Sequence, residues 1–353
     1  MSKFIILGDI HIGARSASTI VMEHQLHYFE SVFFPYMKEN NIKTILQLGD
    51  MFDTRKFSNH LILHNWRKRF FNYMLKENIT FITLLGNHDI VFKNTVDVNS
   101  TTIFLSHYPN IQIVDTPITQ DIEGVPFLIM PWIYPGERQK IDDAIANTNA
   151  LYCAGHFEFS GFESHPGHVM TEGITPDEFS KFDIVFSGHY HTRSRKGNIE
   201  YIGIPYELTW IDYSDPKGFT VFDTKTHKHS FVRNTQSLFA KLIYNDKNQS
   251  PDYWKTIDTA PVKNSYVKII VGSKTDPYQF DKFVEKVASL GPIELKIMDE
   301  IEDFDDICLE EEDIKVEDTS SLIEQFVDQV DTSLNKHKIA VMLKNLYVEA
   351  LNQ

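Results

Sequence analysis

Short apolar runs of aliphatic and β-branched residues recur along the first 190 positions, each closing on a glycine and a polar cluster. Phe4–Leu7, Thr44–Leu48 and Phe81–Leu85 are the first three, and their length and composition predict strands. Between them, Glu23–Asn40 and Asn59–Asn78 have the length and spacing of helices. In the second, Leu61, Trp66, Phe70, Tyr73 and Met74 fall near a 3.6-residue period, with Ser58 placed as N-cap. Strand–loop–helix alternation predicts a βαβ layout with buried parallel strands. The later runs Phe127–Met130, Ala150–Ala154, Ile184–Phe186, Tyr201–Ile204 and Phe219–Phe222 have shorter connections and predict a second sheet packed on the first.

The pattern breaks near 230–262, where the segment 245–251, rich in Asn and closed by Pro251, reads as a linker. Beyond it, Tyr266–Val271 predicts a strand, Pro277–Leu290 an amphipathic helix and Ile293–Met298 another strand, together a small α/β unit. Residues 319–353 return to helical patterning through Leu322, Phe326, Val330, Ile339, Leu343 and Leu346. The boundaries that follow are 1–235 for the main domain, 236–299 for a small second domain, 300–318 for a linker and 319–353 for a helical tail. An apolar hairpin beyond a charged tether is read as a partner-binding module, with packing back on the body as the alternative.

Composition sharpens this picture at three points. The chain has 353 residues and two cysteines, Cys153 and Cys308, in unrelated contexts. They build neither a disulfide framework nor a thiolate metal site, as expected in a reducing cytoplasm. No apolar run approaches the roughly 20 residues that span a bilayer, and Gly8-Asp9 interrupts the apolar start, so neither membrane nor signal segment is expected. The net charge is −15, but residues 299–318 carry twelve carboxylates against Lys315 alone. That stretch accounts for −11 and leaves −4 for the rest, so bulk acidity does not exclude nucleic acid as a partner.

The polar clusters carry the chemistry. They are Asp9-Ile10-His11, Gly49-Asp50-Met51-Phe52-Asp53, Gly86-Asn87-His88-Asp89, Gly155-His156 and Gly188-His189-Tyr190-His191. Aspartate, asparagine and imidazole hold divalent transition metals at neutral pH. Seven such groups exceed what one tetrahedral ion uses, which predicts two ions and the hydrolysis of a phosphate ester. Ligand sites in α/β sheets form at the carboxyl ends of strands, where each cluster falls. Alternation along a strand would place Asp9 with His11, and His189 with His191, on one side. Arg15, Arg55, Arg193 and Arg195 follow the clusters closely, in position to contact a phosphate backbone.

In this order the five motifs are similar to those of the calcineurin-like metallophosphoesterase superfamily. The resemblance implies an α/β fold, a two-sheet β-sandwich flanked by helices, with two metals, usually manganese in nucleases and magnesium as the alternative. It implies that Asp9, His11 and His191 hold one ion, that Asn87, His156 and His189 hold the other, and that Asp50 bridges them. It also implies that His88 donates a proton or positions phosphate, with Asp53 and Asp89 orienting the ligands. Some cellular members carry histidine where Asp53 stands.

Two domains, an acidic tether and an apolar helical tail resemble the nuclease subunit of SbcC–SbcD and Mre–Rad repair complexes. The runs Gly155-His156-Phe157-Glu158-Phe159-Ser160-Gly161-Phe162, Tyr201-Ile202-Gly203-Ile204-Pro205-Tyr206 and Asp215-Pro216-Lys217-Gly218-Phe219 look like the recombination endonuclease subunit of tailed bacteriophages, over about residues 1–235. This implies a DNA exonuclease and endonuclease acting by a two-metal hydroxide mechanism. It further implies a capping domain at 236–299 and docking of 319–353 on an SbcC/Rad-type ABC ATPase. No Gly-x-x-x-x-Gly-Lys-Ser/Thr occurs here, so an ATP-driven step belongs to that partner. Family members commonly dimerise through early helices, which makes Glu23–Asn40 and Asn59–Asn78 candidates for a homodimer. The alternatives are a small-substrate phosphodiesterase or protein phosphatase, and a DNA-end-binding scaffold with a vestigial metal site.

Overall fold

A computed structural model describes residues 3–92, 94–134, 137–165, 167–299 and four helical positions in the tail, 338, 339, 342 and 343. The expected linker 300–318 lies outside the described residues, as does nearly all of the expected tail 319–353.

Two six-stranded sheets build the body of residues 1–298. In the first, Lys3–Leu7, Thr44–Gln47, Thr80–Leu84 and Ile111–Val114 run parallel in that spatial order. Gly218–Asp223 pairs antiparallel with the other edge of Lys3–Leu7, and Lys228–Arg233 completes that side. The second sheet centres on Tyr152–His156 and Ile184–Gly188, also parallel, flanked by Val125–Met130 and Ile199–Tyr201. The short antiparallel strands Ile118–Ile122 and Ser194–Lys196 form its edges.

Alternation along the strands sorts side chains between two cores. Phe4, Ile6, Leu46 and Ile82 point into a layer shared with Phe127, Ile129, Ala154 and Phe186, which joins the sheets. Ile5, Leu7, Ile45 and Phe81 point the other way, onto helices. The Phe219–Phe222 run therefore belongs to the first sheet rather than the second. Its register opposite Lys3–Leu7 places Phe222 in the layer between the sheets, where its ring packs 5.2 Å from Phe4.

The helices on the outer face follow the expected spans with one addition. Thr19–Tyr28 and Phe34–Glu39 are joined by a π-turn over Phe29–Phe33, and His60–Trp66 and Asn72–Lys76 by another over Arg67–Phe71. In each, an i→i+5 bond (Phe34 to Phe29, Asn72 to Arg67) inserts an extra residue into the helical turn. The turns let neighbouring aromatics face one core: Phe29 packs 4.6 Å from Phe70 and 5.7 Å from Trp66. Asn59, not Ser58, caps the second helix, its side chain accepting from the amides of Leu61 and Ile62.

The expected break after 230 contains a strand. Phe239–Asn245 pairs in parallel with Tyr266–Ser273, and Glu294–Asp299 completes a three-stranded sheet. Pro277–Ser289 covers it through Phe280, Phe283 and Val287, with Asp276 as N-cap. The small sheet thus has its own core, within the same compact unit as the two large sheets. Among the described residues no helix is long and apolar enough to cross a membrane.

Candidate metal centre

All five motifs sit at the carboxyl ends of parallel strands, three from the first sheet and two from the second. Apart from His156, the last residue of its strand, the functional side chains follow the strand ends, so pleat alternation does not aim them. Left-handed backbone does: φ is 51° at His11, 49° at Asp50 and 87° at His189. Each such non-glycine residue stores about 1–3 kcal/mol of strain, held in place by the surrounding structure. Glycines provide the room. A Cβ on Gly86 would stand 2.1 Å from Asp50 Oδ1, and one on Gly49, at φ 92°, 2.6 Å from His156 Nδ1.

Two groups of ligand atoms result. Asp9, His11 and His191 converge in one, with His11 Nε2 and His191 Nε2 facing each other at 3.1 Å. Asp50, His156 and His189 converge in the other, where His156 Nε2 lies 3.2 Å from Asp50 Oδ2. Asn87 Oδ1 joins that second group, 2.9 Å from His156 Nε2 and 3.1 Å from His189 Nδ1. The structure thus brings all seven sequence-predicted groups together.

Neighbouring groups fix their orientation. His156 Nδ1–H donates to the Leu48 carbonyl at 2.7 Å, which turns the Nε2 lone pair into the site. Asp53 sets a carboxylate oxygen 3.4 Å from His11 Nδ1. Asp89 is fully buried and accepts backbone N–H groups from Gly86, Met51 and Phe52, latching the second motif to the third. His88 is half-buried, with its amide donating to Asp50 Oδ1 at 2.8 Å and its Nδ1–H to the Asp53 carbonyl at 2.6 Å. That leaves Nε2 for a proton directed elsewhere.

The charge balance bears on whether these residues fit metal ions. Burial, reinforced by Asp50, raises Asp89 to about 6; burial also raises Asp9 to about 6. Burial would lower His11 and His156, yet the carboxylates around them win and raise both to about 9. Burial and the neighbouring imidazoles push His189 well below its usual value and His191 down to about 3. The metal-free cluster therefore holds protons on two of its imidazoles to match buried carboxylates. Oxygen and imidazole donors around that concentrated negative charge suit divalent transition-metal ions, so the residues fit such a centre.

Sequence reading missed several supports. Buried Gln47 ties the Gly8 and Gly49 carbonyls, the Gly49 amide and Thr83. Its signal was one amide in an otherwise apolar strand. Gln25 and Tyr206 both donate to the Ile10 carbonyl, at 3.0 and 2.7 Å. Trp132 sets its ring 5.2 Å from that of His189. Lys217, 3% exposed, donates to the His191 carbonyl at 3.0 Å and pairs with Asp212 at 2.9 Å and Asp215 at 2.7 Å.

The four arginines fall in different places. The Arg15 guanidinium stands over the Tyr266 ring of the small sheet at 4.9 Å. Arg193 and Arg195 both pair with Glu200, and Arg193 also covers Phe231. Arg55 lines a groove beside the second motif.

Comparison with known proteins agrees with this geometry. Residues 2–193 match the calcineurin-like phosphoesterase family. The chain is 30% identical over 352 residues to exonuclease subunit 1 of Enterobacteria phage T4, covering 99% of both. It also overlaps a solved archaeal phosphodiesterase, at 11% identity over 66% of this chain and 99% of that one, with a TM-score of 0.32. An overlap that loose bears on neither function nor mechanism. Five motifs in order, their convergence, and the match over residues 2–193 lead to one assignment: the chain belongs to the calcineurin-like phosphoesterase family.

Proposed function

We propose that this chain is a metal-dependent DNA nuclease, exonucleolytic and endonucleolytic, and the nuclease subunit of a recombination and repair complex. The observation that carries the reading is the pair of adjacent ligand clusters, Asp9, His11 and His191 beside Asp50, His156 and His189, in a chain similar end to end to a phage exonuclease subunit. Asp9, His11 and His191 would hold one ion, Asn87, His156 and His189 the other, and Asp50 both. Manganese suits this donor set, with magnesium as the alternative. Bound there, divalent ions would offset the charge of the phosphodiester and make water acidic enough to attack near neutral pH.

The chain's own residues do the rest. Asp89 and Gln47 hold the loops in register, so the donors are set before substrate arrives. His88 is fixed through Nδ1, and we assign its Nε2 the proton delivered to the leaving oxygen. Trp132 packs against the rings of His189 and His156 and helps fix their orientation. Residues 236–299 act in this reading as a cap over the DNA path, and 319–353 as the segment that docks an SbcC/Rad-type ABC ATPase.

Digestion of linear duplex DNA with added manganese tests the assignment. Wild-type chain should degrade it, while His88→Ala and Asp50→Ala should not. Hydrolysis of a nitrophenyl phosphodiester with no cleavage of DNA, even beside the ATPase, would refute it. A chain ending at residue 318 should fail to retain the ATPase; retention at full-length affinity would remove the docking role.

A further inference from the structure

The segment after the first motif is bent against its own preference. His11 and Gly13 have positive φ, and Arg15, Ser16 and Ala17 continue at 53°, 54° and 59°. Three successive residues of positive φ, none of them glycine or asparagine, make a turn that L-amino acids resist. Such backbone persists only where the surrounding contacts over-determine it. The Ala17 amide closes the turn on the Gly13 carbonyl at 2.8 Å, and the Ala14 amide hooks it to the His11 carbonyl at 3.1 Å.

The small sheet holds this turn from outside. The Arg15 guanidinium stands 4.9 Å from the ring centre of Tyr266 and 5.9 Å from that of Phe239. Its Nη1 is buried and meets no hydrogen-bond acceptor among the described residues, so ring faces rather than an acid receive that side of the cation. Those rings are fixed in turn. Phe239 and Tyr266 begin neighbouring strands directly opposite each other and stack 5.6 Å apart. Glu207 accepts the amides of Leu238 and Phe239, and Trp210 packs 4.7 Å from Phe239. A guanidinium seated in this way is poorly placed for the phosphate contact that its sequence position suggested.

We propose that Arg15 is a positioning residue for the ion assigned to Asp9, His11 and His191, and that the small sheet, through Tyr266 and Phe239, keeps the loop of the first motif in its strained shape. This rests on the two-ion reading above and adds the dependence of one ion on residues 236–299. The lever is short, because the turn that Arg15 pins is bonded directly to the carbonyl of His11. The ligands of the other ion follow later strands, and Gln47 and Asp89 hold their loops. The effect should therefore fall on one ion of the two.

Calorimetric manganese titrations of the full chain test it, with Arg15→Met, Tyr266→Leu and the two combined. Each single variant should weaken the binding of one ion about tenfold and leave the other at its wild-type affinity. The double variant should be no weaker than either single one, because both remove the same contact. The unchanged ion establishes that the variants fold. Arg15→Lys keeps the charge but loses the flat stacking face, so it should recover only part of the affinity. In a His11→Ala chain, Arg15→Met should change nothing further. Wild-type affinity for both ions in Arg15→Met and Tyr266→Leu would overturn the proposal, and so would equal weakening of both ions, the mark of general loosening. Weaker DNA binding in Arg15→Met alone, with both ions unaffected, would return the arginine to a phosphate contact. Two ions in the wild-type chain leave the nuclease reading standing in each of these cases; a wild-type chain that binds one ion only would overturn both.

Discussion

Lys217→Met offers the sharpest perturbation outside the ligand set. Its ammonium is 3% exposed and makes three contacts, with Asp212, Asp215 and the carbonyl of His191. Methionine fills a similar volume but leaves Asp212 buried without its cation. Breaking a buried pair from one side costs about 3–5 kcal/mol. Asp212 keeps the amides of Leu208 and Thr209, which puts the loss near the lower end, at about 3 kcal/mol. For a unit of this size that is a fall in Tm of about 5 °C. The His191 carbonyl in the 188–193 loop also loses one of its two donors, keeping the Ile204 amide at 3.2 Å, so manganese affinity should fall about tenfold. Thermal denaturation and calorimetric manganese titration measure the two effects. Adding Asp212→Asn should recover much of the stability but not the affinity, because the carbonyl of His191 keeps only the Ile204 amide. Unchanged Tm and unchanged metal affinity in Lys217→Met would refute the reasoning.

Three further outcomes follow from the same geometry. In the metal-free chain His11 and His156 titrate at about 9, so their contribution to stability is complete below about pH 6.5 and is lost as pH rises through about 9. Metal ions must displace those protons; apparent affinity should therefore climb with pH across that window, and calorimetry in two buffers near pH 7.5 should count about two protons released per chain. Asp89→Ala frees the amides of Gly86, Met51 and Phe52, and metal affinity should fall about 10–100-fold, with Asp89→Asn milder in the same titration. In the small sheet, burial would raise Asp246, but the amides of Thr275 and Asp276 hold it below the usual carboxylate range. That stability is present above about pH 3.8 and lost as pH falls further, so Asp246→Asn should flatten the acid limb of a urea-denaturation series.

The apolar runs and their glycines made the strands legible, and with them the edge where the motifs meet. Residue type and order were enough to name the seven groups that the structure brings together. The means of their convergence was not legible, because left-handed φ at His11, Asp50 and His189 goes against residue preference and is imposed by tertiary contacts. The π-turns escaped for a similar reason: Phe29–Phe33 and Arg67–Phe71 read as ordinary helix, and only packing between two helices decides where an extra residue goes. Phe239–Asn245 alternates weakly and adjoins a turn, so its strand was hidden in an apparent break. Lys217 drew notice only within the run 215–219; its partners Asp212 and Asp215 are close in sequence, but burial cannot be read from spacing.

The proposed function requires two ions held by one set of side chains. Electron paramagnetic resonance of the chain titrated with manganese tests this directly. The prediction is two ions per chain with a spin-coupled spectrum, as expected for ions about 3.5–4 Å apart, reduced by Asp50→Ala to uncoupled signals. One ion per chain, or two that never couple, would contradict it.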